Sequence, residues 1–144
     1  AARLQAVRDW AVKLPAANGK LGTIGFCWGG ARSFAASAMS PTPQGCVVYY
    51  GSAPDSVLIQ KLKAPVQGHF ATQDQFFAIE TIDQLESKLK SAGVPTDFHR
   101  YLAHHAFANE TAVGPGRIPA TQYDPVWAQQ AWDRTLRFLG RTLG

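Results

Sequence analysis

The sequence predicts an α/β fold: a mostly parallel sheet of about four strands, flanked by helices. Three observations lead there. Short β-branched or aromatic runs alternate with stretches whose apolar residues recur every three or four positions. Each strand-like run is followed by a helix-like one, so successive strands are joined by crossovers and run parallel. The first run passes through Gly25-Phe26-Cys27-Trp28-Gly29-Gly30 directly into helix-compatible sequence, the strand, turn and helix order expected of such a sheet.

Taken in order, Leu4, Val7, Ala11 and Leu14 form a helical stripe that Pro15 and Gly19 close, giving a helix of about 12 residues. The run LGTIGF is a short strand, and ARSFAASAM after the glycine-rich turn is a helix. Residues 46–50 are β-branched and aromatic and run into Gly51-Ser52-Ala53-Pro54, which marks a buried strand entering a loop. A short helix is expected over 55–61 and a third strand over 65–70, with Asp74 in the loop just beyond. From Phe76 onward, Ile79, Ile82, Leu85 and Leu89 keep helical spacing until Gly93. Residues 96–101 form a fourth strand, followed by a loop holding His104 and His105, and 109–123 is irregular and rich in Gly and Pro. Asp124 is a suitable N-cap with Pro125 at the first helical position, and Ala128, Ala131, Trp132, Thr135, Leu136 and Leu139 make one face of a terminal helix.

The composition narrows the function. At 144 residues, 46% hydrophobic and 17% charged, the chain has material for one domain and one core, and it is neither disordered nor fibrous. The net charge of +4 is spread from Arg3 to Arg141 without a basic block, which argues against a nucleic-acid partner. No apolar run reaches the roughly 18 residues of a membrane span. Neither G-x-G-x-x-G nor a P-loop lysine occurs, which argues against a nucleotide site. Two cysteines, Cys27 and Cys46, both beside apolar sequence, point to a reducing compartment, so a cytoplasmic location is expected. The chain starts at Ala1 rather than Met and reads as a fragment of a longer protein.

Chemistry is suggested by Gly25-Phe26-Cys27-Trp28-Gly29, a thiol version of the G-x-S-x-G nucleophile elbow. Glycine at both flanks relieves the crowding where a strand turns straight into a helix, and the central residue is exposed at the helix N-terminus. There the helix dipole favours thiolate over thiol, and the N–H of Trp28 is available as an oxyanion donor. The plainer reading is a small buried cysteine in a Gly-rich turn. A thiol nucleophile needs a base, and the base an orienting acid, in the chain order nucleophile, acid, histidine. Asp74 after the third strand and a histidine after the fourth fit that order; His105 and His104 both qualify, whereas His69 and His99 fall within strands.

GFCWGG, VVYYGS, APVQGHFATQDQFF, LKSAGVPTDFHRY, HHAFAN and YDPVWAQQAWDRTLRFL, in this order, resemble the dienelactone hydrolase family over nearly the whole chain. The resemblance implies a partial α/β-hydrolase fold over 1–144 as a single truncated domain. It also implies a Cys27-Asp74-His105 triad, an ester or lactone substrate cleaved through a thioester, and neither metal nor organic cofactor. Two departures stand out. Family members carry further N-terminal strands, which would hold the second oxyanion donor. Tyr101-Leu102-Ala103-His104-His105 is one residue shorter than the Y-P-G-A-x-H spelling of relatives, a difference that bears on where His105 is placed.

If those strands are absent, the first strand has an open edge, and open edges pair. Association with a second copy or with a separate N-terminal fragment is therefore expected. The competing reading is a non-catalytic, degenerate hydrolase fragment that serves as an interaction subunit. Trp28, Tyr50 and Phe76 are expected to line an apolar pocket beside the thiol.

Overall fold

The computed structural model describes residues 2–144. Nine elements alternate along the chain: α1 (Ala2–Ala11), β1 (Gly22–Phe26), α2 (Trp28–Ala36), β2 (Gly45–Tyr49), α3 (Ser56–Ile59), β3 (Val66–Ala71), α4 (Ile79–Ser91), β4 (Thr96–Tyr101) and α5 (Pro125–Leu143). The four strands form one sheet in the order β1-β2-β3-β4. All pairings are parallel, with Gly22 opposite Gly45, Cys46 opposite Val66 and Val66 opposite Thr96.

Period-two alternation in the two central strands divides the core between the faces of the sheet. Cys46 and Val48 of β2, with Val66 and Phe70 of β3, pack against Phe34 of α2 and Ile82, Leu85 and Leu89 of α4. Val47, Tyr49 and Ala71 look the other way, onto Ala131 and Phe138 of α5 and onto Tyr101 and Phe107. Because both faces are covered, β2 and β3 are buried along their whole length; β2 accordingly reads as a continuous apolar run, while β3 carries Gln67 and His69, which find buried hydrogen-bond partners.

The helix ends follow from identifiable side chains. Asp55 accepts from the N–H of Leu58 to start α3, and Asp124 accepts from the N–H groups of Val126 and Trp127 to start α5, with Pro125 at its first position. Gly93, at a left-handed φ of 76°, follows the end of α4.

Three expectations need correction. The stripe of α1 does not enter the core. The helix ends at Ala11, none of its residues is buried, and Val7, Trp10 and Leu14 are exposed; the stripe borders a groove beside β1 instead. The helix expected from Phe76 starts at Ile79, because the Asp74 carboxylate captures the N–H groups of Phe76 and Phe77 and holds them in a turn. In α5 the buried residues are Ala131, Thr135 and Phe138, while Trp132 and Leu136 face outward, Trp132 beside Phe26 of β1. The edge strand β1 also leaves Ile24 and Phe26 substantially exposed, at 39% and 43%.

Candidate active site

The chain leaves β1 at Phe26 and turns at Cys27 into α2. Cys27 takes a φ of 53° and a ψ of −118°, a conformation that costs a non-glycine residue about 1–3 kcal/mol and persists only where the surroundings enforce it. Enforcement is visible on both sides. The Cys27 N–H donates to the Tyr49 carbonyl at 3.0 Å, and the Cys27 carbonyl accepts from Gly30 and Ala31 at 2.9 and 3.3 Å.

The two glycines of the motif differ in what they do. A Cβ on Gly25 would lie 1.9 Å from the Gly29 carbonyl oxygen, whereas one on Gly29 would meet nothing within 4 Å. The second glycine required by close approach is Gly30, where a Cβ would come within 2.9 Å of Gly51 Cα. The expectation that both motif glycines relieve crowding therefore holds for Gly25 and fails for Gly29.

Asp74 lies just beyond β3 and His105 just beyond β4, at the same carboxyl end of the sheet as Cys27, where parallel sheets gather their chemistry. His105 Nδ1 lies 2.7 Å from Asp74 Oδ2, and His105 Nε2 lies 3.3 Å from Cys27 Sγ. The carboxylate accepts from Nδ1–H, which fixes the tautomer that leaves Nε2 toward the sulfur. The Asp74 and His105 side chains are only 3% and 5% exposed, and the other oxygen of Asp74 is occupied by the Phe76 and Phe77 N–H groups at 2.7 and 3.1 Å. His105 is thus brought to the thiol despite its shortened approach loop. His104 instead places Nδ1 3.3 Å from the Gln73 carbonyl oxygen.

His105 is also held through its backbone. Thr121 pairs with it in a parallel bridge, Gln122 N–H donates to its carbonyl at 3.0 Å, and Asp124 N–H donates to that of Phe107 at 2.9 Å. The segment between, rich in Gly and Pro, returns over a cavity of about 720 Å³ whose wall includes Phe26, Cys27, Tyr50, Phe76, His105 and Arg117. Tyr50 and Phe76 lie where the sequence places them. The Trp28 ring does not: it is 73% exposed and turned to the groove beside α1, with the Arg32 guanidinium 5.0 Å from its centroid. Its backbone N–H, first in α2, belongs to the turn whose N–H groups lack intrahelical acceptors. Phe77 and Arg117 carry no motif that would have singled them out.

Residues 1–143 match the model of the dienelactone hydrolase family. The chain belongs to this family. The carboxymethylenebutenolidase of Pseudomonas sp. strain P51 is 31% identical over 142 residues, covering 97% of this chain and 56% of that protein. The carboxymethylenebutenolidase of Pseudomonas putida is 32% identical over 114 residues, covering 77% of this chain and 48% of that protein. Among solved structures, the dienelactone hydrolase-like promiscuous phosphotriesterase P91 from metagenomic libraries superposes with a TM-score of 0.87 at 23% identity, covering 99% of this chain and 61% of that one. The esterase Pf2001 of Pyrococcus furiosus gives a TM-score of 0.75 at 14% identity, covering 99% and 61%. The four strands and their helices are thus part of an α/β-hydrolase fold, and this dienelactone hydrolase family chain spans about half the length of the curated relatives it matches.

Among the described residues no group of three or more His, Cys, Asp or Glu side chains is placed to hold a metal ion, and no helix is long and apolar enough to cross a membrane.

Proposed function

We propose that this site hydrolyses ester or lactone bonds through a thioester on Cys27, with His105 as base and Asp74 as the acid that orients it. The observation carrying this reading is the unbroken contact chain from Asp74 Oδ2 through the imidazole to Cys27 Sγ, at 2.7 and 3.3 Å. His105 Nε2 takes the thiol proton as the sulfur attacks the substrate carbonyl carbon. The tetrahedral oxyanion is met by the Trp28 N–H. When the C–O bond breaks, His105 returns the proton to the leaving oxygen, and a water activated by the same imidazole then cleaves the thioester to acid and free thiol. No metal or organic cofactor takes part in this scheme.

The cavity suits a small substrate of mixed character. Its wall is largely apolar, and Arg117, whose guanidinium donates to the carbonyls of Thr121 and Gly114 at 2.7 and 3.2 Å, brings positive charge to its rim. That charge matches the carboxyl group in the substrate named by carboxymethylenebutenolidase, the name borne by the relatives.

A partner follows from the edge. Ile24 and Phe26 on β1, Trp28 on α2, and Trp132 and Leu136 on α5 leave exposed apolar surface near a strand whose outer edge has no partner among the described residues. We propose that this edge is covered by further strands of the α/β-hydrolase fold, or by a second copy. The covering chain would add the second oxyanion donor.

The test is p-nitrophenyl acetate hydrolysis together with iodoacetamide labelling of the wild-type, Cys27→Ala and Cys46→Ala proteins. The expected result is an acyl-enzyme burst and fast alkylation that vanish with Cys27→Ala alone. Alkylation of Cys27 no faster than Cys46, with hydrolysis surviving Cys27→Ala, would overturn the mechanism and favour the non-catalytic reading.

A further inference from the structure

Strand alternation breaks at one residue beside the site. Along β2, Val47 and Tyr49 face α5 while Cys46 and Val48 face α2 and α4. Tyr50, next in line, should point toward α2. Instead it joins Val47 and Tyr49 on the α5 face, because its backbone turns over at a φ of 36°. No glycine eases that turn. A tyrosine in the left-handed region costs about 1–2 kcal/mol, so the surrounding structure must enforce it.

The turnover puts the phenol ring, 2% exposed, against the imidazole of His105, with centroids 5.0 Å apart at 58°. The same ring meets Phe107 edge-on at 5.4 Å. Tyr50 therefore touches the segment carrying the base at His105 and Phe107. Its own backbone begins one residue after the Tyr49 carbonyl that receives the Cys27 N–H. One residue thus links the turn that holds the sulfur to the segment that holds the base. The Asp74 carboxylate fixes one end of the imidazole, but a single contact at Nδ1 leaves the ring free to rotate about that axis. Tyr50 and Phe76, whose ring centroid lies 4.8 Å from the imidazole, restrict that rotation.

We infer that Tyr50 is a positioning residue for His105, its left-handed backbone serving to bring the phenol ring against the imidazole and keep Nε2 aimed at the Cys27 sulfur. This rests on the proposed thiol mechanism. The role belongs to the ring, so phenylalanine should serve in its place and an aliphatic side chain should not.

The experiment measures iodoacetamide alkylation of Cys27 as a function of pH, which reads the thiol–imidazole pair without any substrate, and kcat and KM with p-nitrophenyl acetate. Variants are Tyr50→Leu, Tyr50→Phe, Tyr50→Gly and His105→Ala, each checked for folding by circular dichroism and thermal melting. Tyr50→Gly removes the ring at a φ that glycine adopts freely, and so covers the case in which leucine fails to fold.

Tyr50→Leu or Tyr50→Gly is expected to move the alkylation profile toward that of His105→Ala and to lower kcat about tenfold, the effect of about 1.4 kcal/mol, with little change in KM. Tyr50→Phe is expected to restore the wild-type profile. A folded Tyr50→Leu or Tyr50→Gly protein with the wild-type profile and kcat would overturn the positioning role while leaving the triad intact, provided His105→Ala alters the profile. If His105→Ala leaves the profile unchanged, the triad fails and the role of Tyr50 fails with it.

Discussion

His105 Nε2 stands 3.3 Å from the sulfur of Cys27 across 78 residues of chain. Two anchors set that distance: the Asp74 carboxylate behind the ring, and the return of 121–124 against the backbone of the 105–107 segment. The sulfur is fixed separately, by the turn between β1 and α2. Perturbing each anchor gives a different expected result.

Asp74 has two tasks on two oxygens, one holding His105 and one holding the Phe76 and Phe77 N–H groups. Asp74→Asn keeps an oxygen for the turn but loses the carboxylate that selects the imidazole tautomer. It is expected to cut kcat by about 10²–10⁴ with a small change in Tm. Asp74→Ala is expected to lose as much activity and, in addition, about 1 kcal/mol of stability as the turn loses its cap. Steady-state kinetics and thermal melts of both variants separate the tasks; equal Tm values for the two would contradict the division.

The elbow glycines predict opposite outcomes for one chemical change. Gly25→Ala forces a Cβ to 1.9 Å from the Gly29 carbonyl oxygen and should cost about 3 kcal/mol or more, or abolish soluble expression. Gly29→Ala meets open space within α2 and should stabilise by about 0.5–1 kcal/mol, since alanine loses less backbone entropy in a helix. Urea denaturation of the pair is decisive, because the reverse order would mean that the turn is built differently.

Acid sensitivity should begin above the carboxylate range. His69 is fully buried between β3 and α5, with Nδ1 2.8 Å from the Tyr101 hydroxyl and Nε2 3.0 Å from Thr135 Oγ1. Burial, reinforced by the charges of His99 and Arg134, lowers its pKa from 6.5 to about 3. Between those values the unfolded chain binds a proton that folded His69 refuses, so stability falls as pH drops from about 6.5 toward about 3. At pH 5 the loss should be on the order of 2 kcal/mol. His99, also shifted downward by burial, contributes with the same sign. His69→Gln should flatten this slope in denaturation midpoints compared near pH 7.5 and pH 5. An unchanged slope would refute the assignment to His69.

The uncovered edge predicts association. Purified protein should run in size-exclusion chromatography with light scattering as more than one chain, and Ile24→Lys, placing a charge on the exposed face of β1, should shift it toward monomer. A stable wild-type monomer would count against the proposed partner.

Much of this was legible in the sequence, for reasons that particular residues make clear. Residues 96–101 and the Asp124-Pro125 start of α5 coincide with the observed elements, because strand alternation and capping are local properties. The juxtaposition of Cys27, Asp74 and His105 was legible because a parallel sheet gathers the ends of its strands. Less legible was anything set by neighbours. The stripe of α1, like Trp132 and Leu136, is apolar without being buried, since periodicity reports amphipathicity and not what lies opposite. Tyr50 was nameable as a pocket residue, but the backbone reversal that turns it toward His105 leaves no mark in the letters Tyr-Tyr-Gly. Gly29 shows the converse, a motif position whose side-chain space is open.

The strict order β1-β2-β3-β4 has a consequence for how the protein is made. Each strand is laid beside the one synthesised just before it, so the growing sheet always presents its next template, and domains generally fold in this direction during synthesis. The sulfur is delivered first and the imidazole last. The clamp on the 105–107 segment comes later still, from the backbone N–H groups of Gln122 and Asp124. Until the chain has passed those residues the imidazole of His105 is not held beside the Cys27 sulfur, so the two side chains come together only after β1 to β4 have been laid down.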